Sequence, residues 1–240
     1  MFLPLLALRL LLQPAVAAFR AVGVAAELDP DLEICLGDQK ICGHGAGQID
    51  DAVVVCGNLI ERFDHERATR VLALTEPAQR AETLRLMRRY VAATPVDATA
   101  FQAAMADAYA AALGLIRVTG SLTAPELSRL AALDDQFTSG EWLAGPRPAG
   151  VAAAPRQVKV RAGVWTVAAQ AGPARVVASV VRDTVERAQL TAPGLNGGTE
   201  EAQRAVSGVP MAALPGVLAR FGEPGRQLAA AFATADAKKL

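Results

Sequence analysis

The chain has 240 residues, and its 24 lysines and arginines balance its 24 aspartates and glutamates, so the formal net charge is zero. Such a chain creates no net field to attract nucleic acid or an anionic membrane, and we expect neither as a partner. The apolar fraction is 52%, but only 5% of residues are aromatic, which predicts a globular core built from Ala, Val and Leu.

The three cysteines, Cys35, Cys42 and Cys56, are an odd number and contain no Cys-x-x-Cys pair. This spacing argues against a disulfide framework and against a structural zinc site, so we assign no metal-ligating residues. Free cysteine is most often a small buried apolar residue. We therefore expect reduced thiols in a cytoplasmic protein.

The N-terminal segment has two interpretations. Its Leu- and Ala-rich residues 5–22 predict a helix that bends near Pro14 and ends at Gly23. The same residues resemble an export signal, although the first residues carry no Lys or Arg and Arg9 interrupts the apolar stretch. The stretch is too short to span a bilayer. The sequence leaves the choice between helix and signal open.

Short extended runs at 24–28, 32–36 and 51–60 predict a sheet. The β-branched run Ala52–Cys56 is continuous, as expected for a strand that is covered on both faces. The glycine-rich segment 43–47 between the runs is predicted to be a flexible loop. Within it, His44 is interpreted as a loop residue and not as a metal ligand, because only one other histidine could join it.

Helical periodicity follows Asp64, which we predict to be the N-cap of a helix at 65–74. A second helix opens with Pro77 early in it; Leu84, Met87 and Val91 form its apolar face, and its arginines are expected to face solvent. Two more helices are predicted at 97–113 and 123–137, the last with a Thr-Ala-Pro-Glu start signature.

The C-terminal third returns to strands. A Pro-, Gly- and Ala-rich stretch predicts a linker at 146–157. Alternating apolar residues between 158 and 190 predict a small antiparallel sheet, and three short helices are expected from Thr199 onward. We therefore divide the chain into residues 1–145, the linker, and a small α+β domain at 158–240.

Residues 31–60 read DLEICLGDQKICGHGAGQIDDAVVVCGNLI. A short acidic-apolar strand, then Gly-x-x-Lys-Ile-x-Gly, then a β-run ending in Gly-Asn-Leu, resembles the lipoate-protein ligases and the wider lipoate/biotin ligase superfamily. Residues 63–72 and 122–143 resemble that family's helical segment, and 158–240 its accessory domain. The resemblance implies an α+β fold: a partial mixed sheet of the ligase catalytic fold with a helical segment, followed by the accessory domain.

The resemblance also implies an activity, which is ATP- and Mg²⁺-dependent attachment of lipoate to a lysine of a carrier protein through lipoyl-adenylate. Lys40 is the implied catalytic residue, with an ammonium that stabilises charge at the α-phosphate; the alternative is an ordinary surface lysine. Gly43 and Gly45 would let the backbone approach the acyl-adenylate, although a tight turn would explain them equally well. The implied partner is a lipoyl-carrier protein, either a lipoyl domain or a glycine-cleavage H-type protein.

Two departures from the family pattern bear on these expectations. Where members carry Asn-Asp, this chain has Leu32-Glu33, so Glu33, or Asp31 after a small shift, would supply the carboxylate for the nucleotide and its cation. The family's Arg-Arg-x-x-Gly-Gly-Gly segment would lie N-terminal to the portion seen here. We therefore expect a longer gene, a second chain that supplies the N-terminal part of the catalytic domain, or lost catalysis.

Two other functions stay open. One is an octanoyl or lipoyl transferase of the same superfamily, in which Cys35, Cys42 or Cys56 would form a thioester. The other is a non-catalytic subunit that binds the carrier or regulates a ligase.

Overall fold

The computed structural model describes residues 4–49, 52–145, 156–195 and 197–235. Helices and antiparallel sheets share these ranges, which confirms the α+β class. The predicted linker lies mostly outside the described residues, although Arg156 and Gln157 already belong to a strand. The division into two domains stays a prediction.

The first helix, α1 (Pro4–Ala21), packs along α4 (Ala98–Leu113). The ring of Phe19, which is fully buried, lies 4.6 Å from the ring of Phe101. The helix ends before Gly23, whose φ of 86° suits a residue without a Cβ atom. This confirms the predicted helix and its stop.

None of the helices in the described ranges combines the length and the apolar character needed to cross a lipid bilayer.

A small antiparallel sheet follows, formed by β1 (Glu27–Leu28), β2 (Ile34–Leu36) and β3 (Gln39–Lys40) in that order. The chain that leaves α3 then runs beside β3, where Lys40 and Val91 form an isolated parallel bridge. The named strands of the described ranges otherwise pair antiparallel. Lys40 thus lies on the last strand of the sheet, and the outer side of that strand is covered locally by the bridge to Val91.

A separate hairpin consists of β4 (His44–Ile49) and β5 (Ala52–Gly57). The prediction of a flexible loop at 43–47 was therefore wrong, because most of that segment belongs to strand β4. The valine run of β5 needs a hydrogen-bonding neighbour, and glycines can satisfy the backbone of an antiparallel pair although they contribute no side chain.

The valine run is also less covered than predicted. Val53 and Val54 are 42% and 39% exposed, which contradicts the expectation of a strand buried on both faces. Within the described residues, the hairpin pairs with no further strand, and its main helix contacts are with α1.

The helices at 65–138 confirm the predicted start signals. They are α2 (His65–Val71), α3 (Pro77–Tyr90), α4 and α5 (Ala124–Thr138), followed by the short α6 (Gly140–Ala144). The side chains of Asp64 and Asp97 cap α2 and α4, and Thr123 and Glu126 form the capping box of α5.

The predicted apolar face of α3 is confirmed at Val91, which is buried, but not along the helix. Its buried residues include Thr83, Leu86 and Tyr90, whereas Leu84 and Met87 are only partly buried. The helix also does not present a purely solvated arginine face, because Arg85 and Arg89 both pair with Glu186. Because α3 packs against the C-terminal sheet, a different side of the helix is buried from the one that helical periodicity predicts.

The C-terminal unit is a four-stranded antiparallel meander, as predicted: β6 (Arg156–Arg161), β7 (Val164–Ala171), β8 (Ala174–Val181) and β9 (Thr184–Thr191). The predicted helices α7 (Thr199–Val206), α8 (Leu214–Leu218) and α9 (Gly222–Thr234) share one core with this sheet. A second core cluster joins β6 and β7 to α3. A buried hydrogen bond of 2.7 Å between the hydroxyls of Thr83 and Thr166 crosses that interface.

Exposed apolar side chains are distributed unevenly. Within the described ranges, every large apolar side chain that is exposed lies between Leu6 and Leu143, and none lies in the part of the chain from residue 156 onward. The set includes the hairpin valines and the α5–α6 residues Phe137 and Trp142. The exposed large apolar side chains of the described ranges thus belong to the N-terminal part of the chain, and the C-terminal unit has none.

Candidate functional site

Lys40 is held firmly in the structure. Its strand lies between Cys35 of β2 and Val91, and its carbonyl accepts a 3.0 Å hydrogen bond from the Ala92 N–H. The side chain is only 19% exposed, and its Nζ lies 2.8 Å from a carboxylate oxygen of Glu33. A surface lysine free to move in solvent would look different, so the geometry keeps Lys40 as a site candidate.

Among the described residues, Glu33 is the one acidic residue that is buried, at 4% exposed. Its Oε2 faces Lys40, and its Oε1 accepts a 2.9 Å hydrogen bond from the backbone N–H of Ala162 in the C-terminal unit. The Asp29 carboxylate accepts a 2.8 Å bond from the Glu33 N–H. The residue before it, Leu32, has a φ of 62°, a strained backbone conformation of the kind that is found at functional sites.

The two carboxylates assigned to the nucleotide cation, Glu33 and Asp31, have different surroundings, and their role as cation ligands stays a prediction. The Oε2 of Glu33 is paired with Lys40, and its Oε1 accepts the Ala162 N–H. Asp31 instead lines a polar cavity that also includes Arg161. A nucleotide-bound Mg²⁺ commonly uses only one or two protein carboxylates, and phosphates and water complete its octahedral shell. Across the described residues, no group of three or more His, Cys, Asp or Glu side chains could hold a metal ion.

A mostly apolar cavity of about 220 Å³ lies between α1, α4 and the β4–β5 hairpin. Its walls include the aromatic side chains Phe19, Phe101 and Tyr109. The Tyr109 hydroxyl is held by a 2.5 Å hydrogen bond to the Leu11 carbonyl. This volume and lining suit the hydrocarbon part of a small ligand with a few polar contacts.

His44 connects this cavity to the Lys40–Glu33 pair. Its ring lines the cavity, and its Nδ1 is buried with no hydrogen-bond partner in the described part of the chain. Burial lowers the pKa of His44, and the nearby Glu33 carboxylate and Lys40 ammonium raise and lower that pKa respectively. His44 is thus a polar residue in the wall of a mostly apolar cavity, and Glu33 and Lys40 influence its protonation.

His44 should make the protein less stable in acid. Because its pKa is lower in the folded than in the unfolded chain, the unfolded state takes up the proton first, and stability falls as pH drops below about 6.5. We expect the thermal midpoint of the wild type to fall more than that of His44→Asn between about pH 7.5 and pH 5.5. Parallel midpoints for the two proteins over this range would contradict the prediction.

The predicted glycines flank His44 but do not line the cavity. The Gly43 N–H donates a 2.8 Å hydrogen bond to the Asn58 side chain, and a Cβ atom at Gly43 would lie 3.1 Å from the Asn58 Oδ1. Gly45 has open space around its missing Cβ. Glycine at position 43 is therefore explained by the close Asn58 side chain, and the proposed approach of the backbone to an adenylate stays a prediction.

Two of the three cysteines, Cys35 and Cys42, are poorly suited to nucleophilic catalysis. Burial raises the pKa of the Cys35 thiol to about 11 and also raises that of Cys42. The reactive species is the thiolate, which both environments disfavour near neutral pH. Cys56 is exposed, with its thiol 3.9 Å from the Gly45 carbonyl oxygen.

A second cavity, of about 250 Å³, lies where the β2–β3 hairpin meets the C-terminal sheet. Its lining is polar and includes Asp31, Asp38, Arg161 and Arg182. Sequence reasoning assigned no role to Arg161, Ala162 or His44. His44 stands out only as a histidine between glycines, while the two C-terminal residues lie more than a hundred positions from Lys40 and carry no motif.

Comparison with solved structures identifies the fold. A bi-partite lipoate protein ligase from Thermoplasma acidophilum, studied with its E2 lipoyl domain, is similar with a TM-score of 0.54 and 21% sequence identity. The match covers 63% of this chain and 62% of that one. The chain thus spans about three-fifths of that ligase and has the lipoate-protein ligase fold there, as the resemblance implies.

Two further solved structures show weaker similarity. A T. acidophilum protein assigned to the lipoate protein ligases, with bound lipoic acid, has 18% identity and a TM-score of 0.47 over 60% of this chain and 61% of its own. Lipoate-protein ligase A bound with ATP has 19% identity and a TM-score of 0.46 over 57% and 58%. No protein-family model and no curated protein sequence matches the chain.

Proposed function

We propose that the protein takes part in ATP-dependent ligation of lipoate to a carrier protein, with Lys40 as the catalytic residue. The observation that carries the proposal is the ordered Lys40–Glu33 pair next to His44 and the apolar cavity. The cavity would take the hydrocarbon part of the acid. Its carboxylate would then lie toward His44 and Lys40, where a nucleotide phosphate could approach.

The reaction has two steps. A carboxylate oxygen of lipoate attacks the α-phosphorus of ATP, and pyrophosphate leaves as lipoyl-adenylate forms. The ε-amine of a carrier lysine then attacks the acyl carbonyl, which forms an amide, expels AMP and releases a proton. Lys40 would stabilise the negative charge that accumulates at the α-phosphate in the first step and at the leaving AMP in the second.

The proposed partners are a lipoyl-carrier protein and a chain or segment that completes the catalytic sheet. The described ligase structure was studied with an E2 lipoyl domain, which supports a carrier of this kind. The two-stranded β4–β5 sheet, with Val53 and Val54 exposed, supports a covering partner, because an unpaired strand edge can recruit a further strand. The free thiols of Cys35, Cys42 and Cys56 suit our proposal of a reducing, cytoplasmic location.

The direct test mixes the protein with lipoate, ATP, Mg²⁺ and a lipoyl-carrier protein, with and without a candidate completing chain. We expect the carrier to gain one lipoyl group by mass spectrometry, and pyrophosphate to appear before transfer. Carrier binding without adenylate under every combination would instead favour the non-catalytic subunit. Transfer from an acyl-carrier thioester without ATP would favour the transferase, which the raised pKa values of Cys35 and Cys42 disfavour.

The cavity can be tested with two glycines of one hairpin. A Cβ atom at Gly57 would lie 3.4 Å from the Cys42 Sγ and 3.6 Å from the His44 Cβ, on the cavity side, so Gly57→Leu should fill the cavity. We expect it to weaken lipoate and octanoate binding about tenfold or more in calorimetric titrations, because the acyl chain loses its apolar contacts.

The matched control is Gly47→Leu. Gly47 lies in β4 of the same hairpin, three residues from His44 and therefore on the opposite face, with nothing within 4 Å of its missing Cβ. This variant should bind both acids like the wild type. Equal binding by Gly57→Leu and Gly47→Leu would place the acid elsewhere.

A further inference from the structure

Two consecutive residues of the C-terminal unit, Arg161 and Ala162, make three contacts with the small sheet that carries Lys40 and with the segment before β2. Arg161 donates one bond of 2.7 Å to the Asp38 carbonyl and forms an ion pair with the Asp29 carboxylate. The neighbouring Ala162 N–H donates a 2.9 Å hydrogen bond to the Glu33 Oε1. Asp38 lies in the turn between β2 and β3, two residues before Lys40, and Asp29 directly follows β1. Arg161 therefore contacts the connections on both sides of β2.

The local backbone of β6 is shaped to place Arg161 there. The pairing of β6 with β7 shifts register between Lys159 and Arg161, which indicates a β-bulge. As a result, both Val160 and Arg161 are buried, at 8% and 6% exposed, although consecutive strand residues normally face opposite sides. Bulges redirect side chains in this way and are frequent next to active sites.

The contacts form a continuous chain that ends at the Lys40 ammonium. Arg161 holds the carboxylate of Asp29, and the other oxygen of that carboxylate accepts the Glu33 N–H. The Glu33 carboxylate is in turn shared between the Ala162 N–H and Lys40. Each link is fully or largely buried, so removing one leaves charged groups without partners in a poorly solvated place.

We propose that Arg161 is a positioning residue for Lys40, acting through Asp29, Asp38 and Glu33. This proposal rests on the proposed function of Lys40 but goes beyond it, because it makes the C-terminal sheet a part of the catalytic apparatus. The guanidinium suits the task because its planar fork can satisfy two acceptors in different directions at once, which an ammonium on a flexible stem does less well.

The test compares Arg161→Met and Arg161→Lys with Arg182→Met. Arg182 is an exposed arginine on the wall of the same polar cavity, and the described structure assigns its side chain no hydrogen bond or ion pair. For adenylate formation by the complete system, we expect Arg161→Met to lower kcat about 10- to 100-fold, because small misplacements of a catalytic group have effects of this size. The KM for lipoate should change little, since the apolar cavity is separate. Arg161→Lys should be intermediate, and Arg182→Met should match the wild type.

A second readout does not need activity. Acetylation of Lys40 by a small lysine-reactive ester, followed by peptide mass spectrometry, reports how firmly the ammonium is held. We expect Lys40 to react several-fold faster in Arg161→Met than in the wild type or Arg182→Met, while thermal melting shows all variants folded. If Arg161→Met does not fold, Arg161→Lys carries the same comparison.

The outcomes separate the two proposals. A wild type that makes no adenylate, together with faster Lys40 acetylation in the Arg161 variants, would refute the ligase function but retain the positioning role. An unchanged acetylation rate and an unchanged kcat in a folded Arg161 variant would overturn the positioning role. An equal loss of kcat in Arg182→Met would mean that any positive charge at the polar cavity has this effect. That result would also overturn the positioning role of Arg161.

Discussion

Replacing Lys40 with methionine should lower the rate of adenylate formation about 10²- to 10³-fold, the usual cost of removing one well-aimed electrostatic group. The loss should appear in kcat, because the ammonium is expected to act mainly on charge that develops in the transition state. The measurement is pyrophosphate release with lipoate and ATP in the complete system.

The structure predicts a side effect of this substitution that must be separated from catalysis. Without the ammonium at 2.8 Å, the buried Glu33 carboxylate loses its charged partner, and the fold should lose about 1–3 kcal/mol. The double variant Lys40→Met, Glu33→Gln should regain much of that stability. It should remain as inactive as the single variant if Lys40 acts in the chemistry.

Lys159→Met is the matched control, because Lys159 is an exposed lysine of the adjoining strand β6, whose ammonium lies 5.7 Å from the Trp165 ring centroid. We expect this variant to form adenylate at the wild-type rate. Full activity of the Lys40→Met variant would show that Lys40 has no part in catalysis, even though the chain has the ligase fold.

The largest effect on stability is expected at Gly225. A Cβ atom there would lie 1.9 Å from the Leu218 carbonyl oxygen and 3.0 Å from the Phe221 Cβ. Because backbone must move to relieve such a contact, Gly225→Ala should cost about 3 kcal/mol or more, at the upper end of overpacking effects. The free energy of unfolding in urea measures this cost.

A nearby glycine gives the control. Gly216 lies in α8, and nothing is within 4 Å of the position its Cβ would take. Gly216→Ala should therefore be neutral or stabilise the protein by up to about 1 kcal/mol, since alanine favours helix over glycine. Equal stability of the two variants would mean that α8 and α9 do not approach each other this closely.

Local signals predicted the helices well. Asp64, Asp97 and Thr123 are capping residues at the positions where the sequence indicates helix starts. Their effect depends on a bond from one side chain to a backbone N–H three residues away, so the information is contained in a few adjacent residues. The β6–β9 meander was predicted for a similar reason, since its strands alternate and its turns are short.

Signals that depend on distant packing were misread. The apolar spacing of α3 pointed to Leu84 and Met87, whereas the C-terminal sheet buries Thr83 and Leu86. The valine run of β5 has the composition of a covered strand but is exposed. In both cases the sequence shows which residues are suited to burial, and the neighbours that bury them are set by the tertiary fold.

The sequence by itself determined the α+β class and the positions of most helices and strands, because these follow from periodicity and capping. It also pointed to Lys40 as the residue to test, through the resemblance of one compact motif to the ligase family. Only the tertiary structure decided what surrounds Lys40: Glu33 beside it, His44 at the apolar cavity, and Arg161 and Ala162 behind it. The physical reason is that a charged site is assembled from contacts between residues far apart in the chain. No local pattern records such contacts, because each partner needs only to be polar at its own position.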